Sequence, residues 1–311
     1  MERTIEVLRT IMPVVLMLLI GMLCRHRKLI SREGVNALKS VVVNITLPAV
    51  LLNAFAATNY TFMDIIIPLL MFLVCLAAWA LGKAAARLSG MQSRFVPYLT
   101  TGFEAGMLGY ALFNMLYGSA RTAEFARIDL GQVLFVFTLY KVLLGLSEKE
   151  KVDVGGLIHE MALSPIILAI AAGVIMGVTG LYQALIPSGV SGIFDACTDF
   201  IAAPTSAIIL LTIGYDLVLN AIPWRETGKV VALRYGIMLI LGVAFIWLMK
   251  LLWPTADLTA AVIVMFILPP PFVLPVFADD EDQRVYVSSA LSLSTLVAIV
   301  GFAVIATLGI G

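Results

Sequence analysis

Apolar runs of about eighteen or more residues recur from one end of this chain to the other. Each is long enough to cross a bilayer as a helix. Inside hydrocarbon every backbone N–H and C=O must find a partner within the protein, so only helices and closed barrels can span it. These runs are continuous rather than alternating, which excludes the barrel. The chain therefore reads as an all-α, polytopic membrane protein. Its charged fraction agrees: 13% of the 311 residues are charged, about half the share of a soluble domain. Arg9 and Pro13 lead directly into a full-length span with no small-residue cleavage site, so no cleavable signal is expected.

The runs resolve into ten expected spans, near 4–24, 34–57, 62–86, 95–118, 125–147, 160–180, 194–220, 227–252, 258–278 and 285–309. The longest polar stretch is SEKEKVDVGG, from Ser147. Basic residues sort by side. One side receives Arg25, Arg27, Lys28, Arg32, Lys83, Arg87, Arg94, Lys149, Lys151, Arg225, Lys229 and Arg284, with Lys39, Lys141 and Arg234 near helix ends and able to snorkel to it. The other has only Arg3, Arg9, Arg121, Arg127 and Lys250. The basic side is expected in the cytoplasm and both termini outside it, in a cell (inner or plasma) membrane. The acidic ADDEDQ loop at Ala278 would share the cytoplasmic side.

Ten spans divide into two sets of five, 1–150 and 151–311. An odd number per set inverts the second relative to the first, as in many secondary transporters. VNITLPAVLLNAF in span two matches DFIAAPTSAIILL in span seven, pairing Pro48 with Pro204. A proline inside a helix removes one backbone bond, so both helices should kink or open there. Asn44 and Thr46 precede the first proline, and Thr205 and Ser206 follow the second. Spans four and nine form a stronger pair. Span nine holds Pro269, Pro270 and Pro271, which cannot continue a helix. Span four holds Gly102, Gly106 and Gly109, which weaken one. Interrupted segments at corresponding places in two halves point to a transporter's binding site.

Glu104 is the only charge between Phe95 and Ala120. It lies ten residues past Arg94, about 15 Å further along a helix and near the bilayer centre. A carboxyl group there must be protonated, paired or in contact with water. No lysine or arginine is expected at its depth. Glu104 therefore reads as a proton-coupling or substrate residue, with a permanently protonated structural group as the plainer alternative. Asp129 and Gln132 share a face of span five. Gln132 should face inward, while Asp129 could be an interfacial end residue. Ser288, Ser292 and Thr295 on span ten would be packing hydroxyls or cavity lining. Asp195, Asp199 and Asp216 fall near span ends and should be solvated. Cys24, Cys75 and Cys197 are scattered and read as packing residues.

No nucleotide-binding or metal-ligand spacing is present, so no cofactor is expected. An intramembrane enzyme needs a nucleophile–base pair or a metal cluster at one depth, and no His or Cys accompanies Glu104. The chain is accordingly not read as an enzyme. A small-molecule substrate and the bilayer are its expected partners, with no nucleic acid.

The stretches VVVNITLPAVLL (41–52), FEAGMLGYALF (103–113), DLGQVLFVFTL (129–139), AAPTSAIILLTIG (202–214) and LPPPFVLPVFAD (268–279), with the SLST of span ten, resemble the auxin efflux carrier family. That family holds plant PIN-type carriers and bacterial relatives linked to malonate and other carboxylates. The resemblance covers essentially the whole chain and implies an inverted five-plus-five fold, distantly related to bile-acid:sodium symporters. A scaffold of spans 1, 2, 6 and 7 would flank a transport domain of spans 3–5 and 8–10. Spans four and nine would cross at their breaks and hold the substrate there, with alternating access by elevator-like movement and dimerisation through the scaffold. Two positions depart from the family pattern, which has asparagine in place of Glu104 and proline in place of Tyr110. An ionised Glu104 would repel an anion, and a protonated one would let proton and anion travel together. A neutral or cationic substrate is the alternative. The expectation is a proton-linked carrier of a small organic anion. A sodium symporter, with sodium at Glu104 and Gln132, and a sensor or channel are the other readings.

Overall fold

The computed structural model describes residues 2–58, 60, 63–146, 155–156, 159, 162–217, 224–254, 257–278 and 281–309. Most of the expected 147–156 loop and Asp279 lie outside them. All regular structure among the described residues is helical. The helices are α1 (Glu2–His26), α2 (Arg32–Ala56), α3 (Met63–Ser89), α4 (Val96–Leu99), α5 (Tyr110–Tyr117), α6 (Thr122–Gly145), α7 (Pro165–Val178), α8 (Leu181–Leu185), α9 (Val190–Ala202), α10 (Thr205–Asp216), α11 (Trp224–Leu252), α12 (Thr259–Ile267) and α13 (Glu281–Leu308). Among the described residues, six helices are long and apolar enough to cross a membrane: α2, α3, α6, α11, α13 and the combined stretch of α9 and α10.

The apolar helices pack in two groups. In one, α1 lies on α10, and α2 lies on α7, α9 and α10. In the other, α3 lies on α6 and α11, and α11 lies on α12 and α13. Between apolar helices in lipid, association depends on close packing, and small residues permit it. A Cβ on Gly21 of α1 would stand 2.1 Å from the Leu211 carbonyl oxygen, and one on Gly214 of α10 would stand 2.2 Å from that of Leu18. Gly173 and Gly177, a GxxxG pair on α7, meet the backbone of α2 in the same way. Any side chain at these glycines would push the helix pairs apart.

The prolines act differently from each other. In α2 a π turn, Val42–Thr46, precedes Pro48, and the helix continues through it. The wider turn absorbs the backbone bond that proline cannot make. At Pro204 the helix stops and restarts, dividing α9 from α10. In the expected spans four and nine the chain leaves helical geometry altogether, over 100–104 and 268–273.

Candidate functional site

The two breaks meet. The Glu104 N–H donates to the Pro269 carbonyl at 2.9 Å. Gly102 makes the approach possible: its φ is +66°, and a Cβ there would lie 2.9 Å from the Pro271 ring. Beyond the break a π turn, Ala105–Gly109, leads into α5. Gly109 is needed for contact, since its Cβ would collide with Phe125 and Leu268. Gly106 faces Leu47.

Each break exposes two poles, carbonyls at the end of the first half and N–H groups at the start of the second. Glu104 serves the N–H pole of both. One carboxylate oxygen accepts from Met107 N–H at 3.2 Å, and the other from Phe272 N–H at 2.6 Å. A side-chain carboxylate thus caps its own half-helix and holds the turn that leads into the short 3-10 segment Leu274–Phe277 of the crossing one.

Arg234 of α11 serves the carbonyl pole of both. It is fully buried. One guanidinium nitrogen donates to Leu99 O at 3.0 Å and Thr101 O at 3.4 Å, the other to Gly102 O at 2.7 Å and Leu268 O at 2.9 Å. The Phe103 ring lies 5.5 Å from the guanidinium carbon. The neighbouring Tyr235 hydroxyl lies 3.0 Å from Ile267 O and 2.8 Å from Ser294 O. This corrects the expectation that Arg234 snorkels to a surface and that no arginine lies at the depth of the breaks. Four carbonyls in one place give the guanidinium, with its planar fork of donors, a better environment than a helix end offers.

A second polar chain runs behind the crossing. Tyr110 donates to Asp129 at 2.9 Å, Gln132 donates to Asp129 at 2.8 Å, and Phe103 N–H donates to the Gln132 oxygen at 3.3 Å. Asp129 is buried at 2% exposure rather than interfacial, and Gln132 faces inward as expected. The sodium ligands expected at Glu104 and Gln132 therefore already accept backbone N–H groups.

Two cavities flank the crossing, both between the two helix groups. One, of about 540 Å³, is lined by Arg25, Arg32, Lys39, Met107, Phe272 and Arg284, with Asp216 as its acid and Ser288, Ser292 and Thr295 on its α13 wall. The other, of about 530 Å³, is lined by Asn53, Tyr110, Asn114, Tyr182, Asp195, Asp199 and Thr205. Lys39 and Asn53 are fourteen residues apart on α2, about 21 Å along a helix. The cavities thus lie toward opposite ends of α2. Met107 and Tyr110, one turn apart, face the two cavities, with buried Leu108 and Gly109 between them. On α10, buried Ile209 and Leu210 divide Ser206 from Ile213.

Other expected site residues sort around this frame. Thr205, Ser292 and Thr295 line cavities. Pro269, Pro270 and Pro271 are buried in the crossing. Asn44 does not join it: it is exposed, and its amide donates to the Ser40 carbonyl and hydroxyl, both at 2.9 Å. Neither Pro48 nor Pro204 is among the described lining residues of these two cavities, although Ala49 and Thr205 beside them line the second. Asp216 and Asp195 are not simply solvated. Asp216 accepts from Arg32 and Lys39. Asp195 accepts from Tyr182 at 2.9 Å and from Asn53 at 3.4 Å. Burial, and then the Asp195 carboxylate, push the Tyr182 phenol above its ordinary value. Asp199 is exposed as expected. Cys24 and Cys75 are buried packing residues, but Cys197 is exposed.

No protein-family model matches this chain, and no curated protein matches it.

Proposed function

We propose that this chain is a secondary active transporter of a small organic molecule, a carboxylate anion, with a proton carried at Glu104. The observation that carries the reading is the bonded crossing of two interrupted segments, with one carboxylate on both N–H poles, placed between opposed cavities. Interrupted helices at such a crossing offer main-chain groups to a ligand at mid-depth, where regular helices offer none. With Glu104 ionised, the Met107 and Phe272 N–H groups are engaged. With Glu104 protonated, they become available to another anion, so proton and anion bind together.

The same reading takes the chain as ten spans in two inverted sets, 1–150 and 151–311, with 95–118 and 258–278 as the crossing pair. The group containing α1, α2, α7, α9 and α10 is then the scaffold, and the group containing α3, α6, α11, α12 and α13 moves with the crossing. A ligand between the groups would pass from one cavity to the other by an elevator-like shift. The basic end faces the cytoplasm, and two copies pair through the scaffold. The auxin efflux carrier family remains the proposed affiliation. Its support is the set of sequence stretches quoted above. Counterflow of radiolabelled carboxylates in proteoliposomes tests the transport reading, since a carrier gives saturable exchange and a channel or sensor does not.

A further inference from the structure

The two cavities differ in charge. Four basic side chains, Arg25, Arg32, Lys39 and Arg284, line the first against one acid, Asp216. The second is lined by Asp195 and Asp199 with no lysine or arginine among its described lining residues. Two of the four cations have local partners: Arg25 donates to Leu217 O at 3.1 Å, and Arg284 pairs with Glu281. The other two, Arg32 and Lys39, both hold the Asp216 carboxylate.

Asp216 is an awkward occupant. It ends α10, where the carbonyl pole of the helix disfavours negative charge. Its pairing with Arg32 and Lys39 offsets that cost. A carboxylate from outside can form the same bonds. Exchange of one carboxylate for the other therefore keeps both cations paired and leaves Asp216, about a third exposed, to be solvated by water at its helix end. Lys39 is also placed to act beyond this pair. Lys39 lines the same cavity as Met107 and Phe272, whose N–H groups hold the Glu104 carboxylate.

We propose that Arg32 and Lys39 form the loading site for an anionic substrate, and that Asp216 is the resident carboxylate which the substrate displaces. This rests on the transporter reading and adds to it a place of first contact and the resident group that must give way. The opposite cavity lacks such cations, so the same anion is held less tightly at that end.

The test is binding to the full-length protein in nanodiscs, with malonate and benzoate as probes and chloride at matched ionic strength as the control. Wild type should bind at least one carboxylate above the chloride effect. Asp216→Asn should bind it about 1.5-fold to fivefold more tightly, and Lys39→Gln or Arg32→Gln more weakly by a similar factor, the range for a partly exposed ion pair. Lys39→Arg, which keeps the charge, should restore wild-type affinity and covers the case in which Asp216→Asn fails to fold. No carboxylate binding, or equal affinity in wild type, Asp216→Asn and Lys39→Gln, would overturn the proposal. The two readings fail separately. Counterflow with affinity unchanged in Lys39→Gln removes the loading site and leaves the carrier. Charge-dependent binding without counterflow removes the carrier and leaves the site.

Discussion

The main-chain N–H of Glu104 donates to the Pro269 carbonyl at 2.9 Å, and the Glu104 side chain then reaches the N–H of Phe272 at 2.6 Å. One residue thus joins the two broken segments through both its backbone and its carboxylate. Arg234 closes the same crossing from the carbonyl side, so the four exposed poles are covered by one acid and one base.

Arg234→Met should be the most damaging of the crossing substitutions. It leaves buried carbonyls at Leu99, Gly102 and Leu268 without their donor. An unsatisfied buried polar group costs about 1–3 kcal/mol, so a total loss of at least about 3 kcal/mol is expected. Reversible unfolding in mixed micelles measures it. A loss below about 1 kcal/mol would show that water or a neighbour replaces the guanidinium.

Gly102→Ala should destabilise by about 1–3 kcal/mol, the usual cost of a non-glycine residue held at positive φ, with the Pro271 ring 2.9 Å from the new Cβ adding to it. The same unfolding experiment checks this. Wild-type stability would mean that the backbone at the break relaxes freely.

Tyr110→Phe removes one of the two side-chain donors to buried Asp129. A loss of about 1–2 kcal/mol is expected, because the acid keeps Gln132 but loses the hydroxyl. If Tyr110→Phe and Asp129→Ala prove additive in a double-mutant cycle, the two side chains are not coupled.

Asp257 lies outside the spanning helices and accepts from the Thr259 N–H at 3.0 Å. Bonds from the Thr259 side chain and backbone hold its carboxyl below the ordinary aspartate value. A depressed folded-state value means the group stabilises the fold above its unfolded value and loses that effect as pH falls through the folded one. Asp257→Asn should therefore be slightly less stable than wild type at neutral pH. The effect is small because Asp257 is exposed. The two melting temperatures should converge in acid, and a difference that persists there would rule out the carboxylate as its source.

Much of the helical frame was legible from residue type alone. Runs such as Trp224–Leu252 are too long and apolar for anything but a span, and LPPP cannot be helical. Gln132 was readable as inward-facing because a polar amide facing lipid is costly. Three things were not readable. Arg234 looked like a snorkelling residue because it lies only five positions past Lys229. Its partners are carbonyls made available by breaks more than thirty residues away in sequence in one case and more than 130 in the other. Asp129 could be placed only once Tyr110, nineteen residues earlier, was known to face it. Asn44 was drawn toward the site by its closeness to Pro48, but the π turn keeps the helix continuous and leaves the amide bonded to Ser40 on the exposed face.

The central measurement is counterflow of radiolabelled carboxylates into proteoliposomes, recorded across pH for wild type and Glu104→Gln. Glutamine keeps the shape of the side chain and removes its titration. Wild type should show saturable, pH-dependent exchange that needs no sodium, and Glu104→Gln should exchange with a flat pH profile. A variant that retains the wild-type pH dependence, or exchange that requires sodium in both proteins, would contradict a proton carried at Glu104.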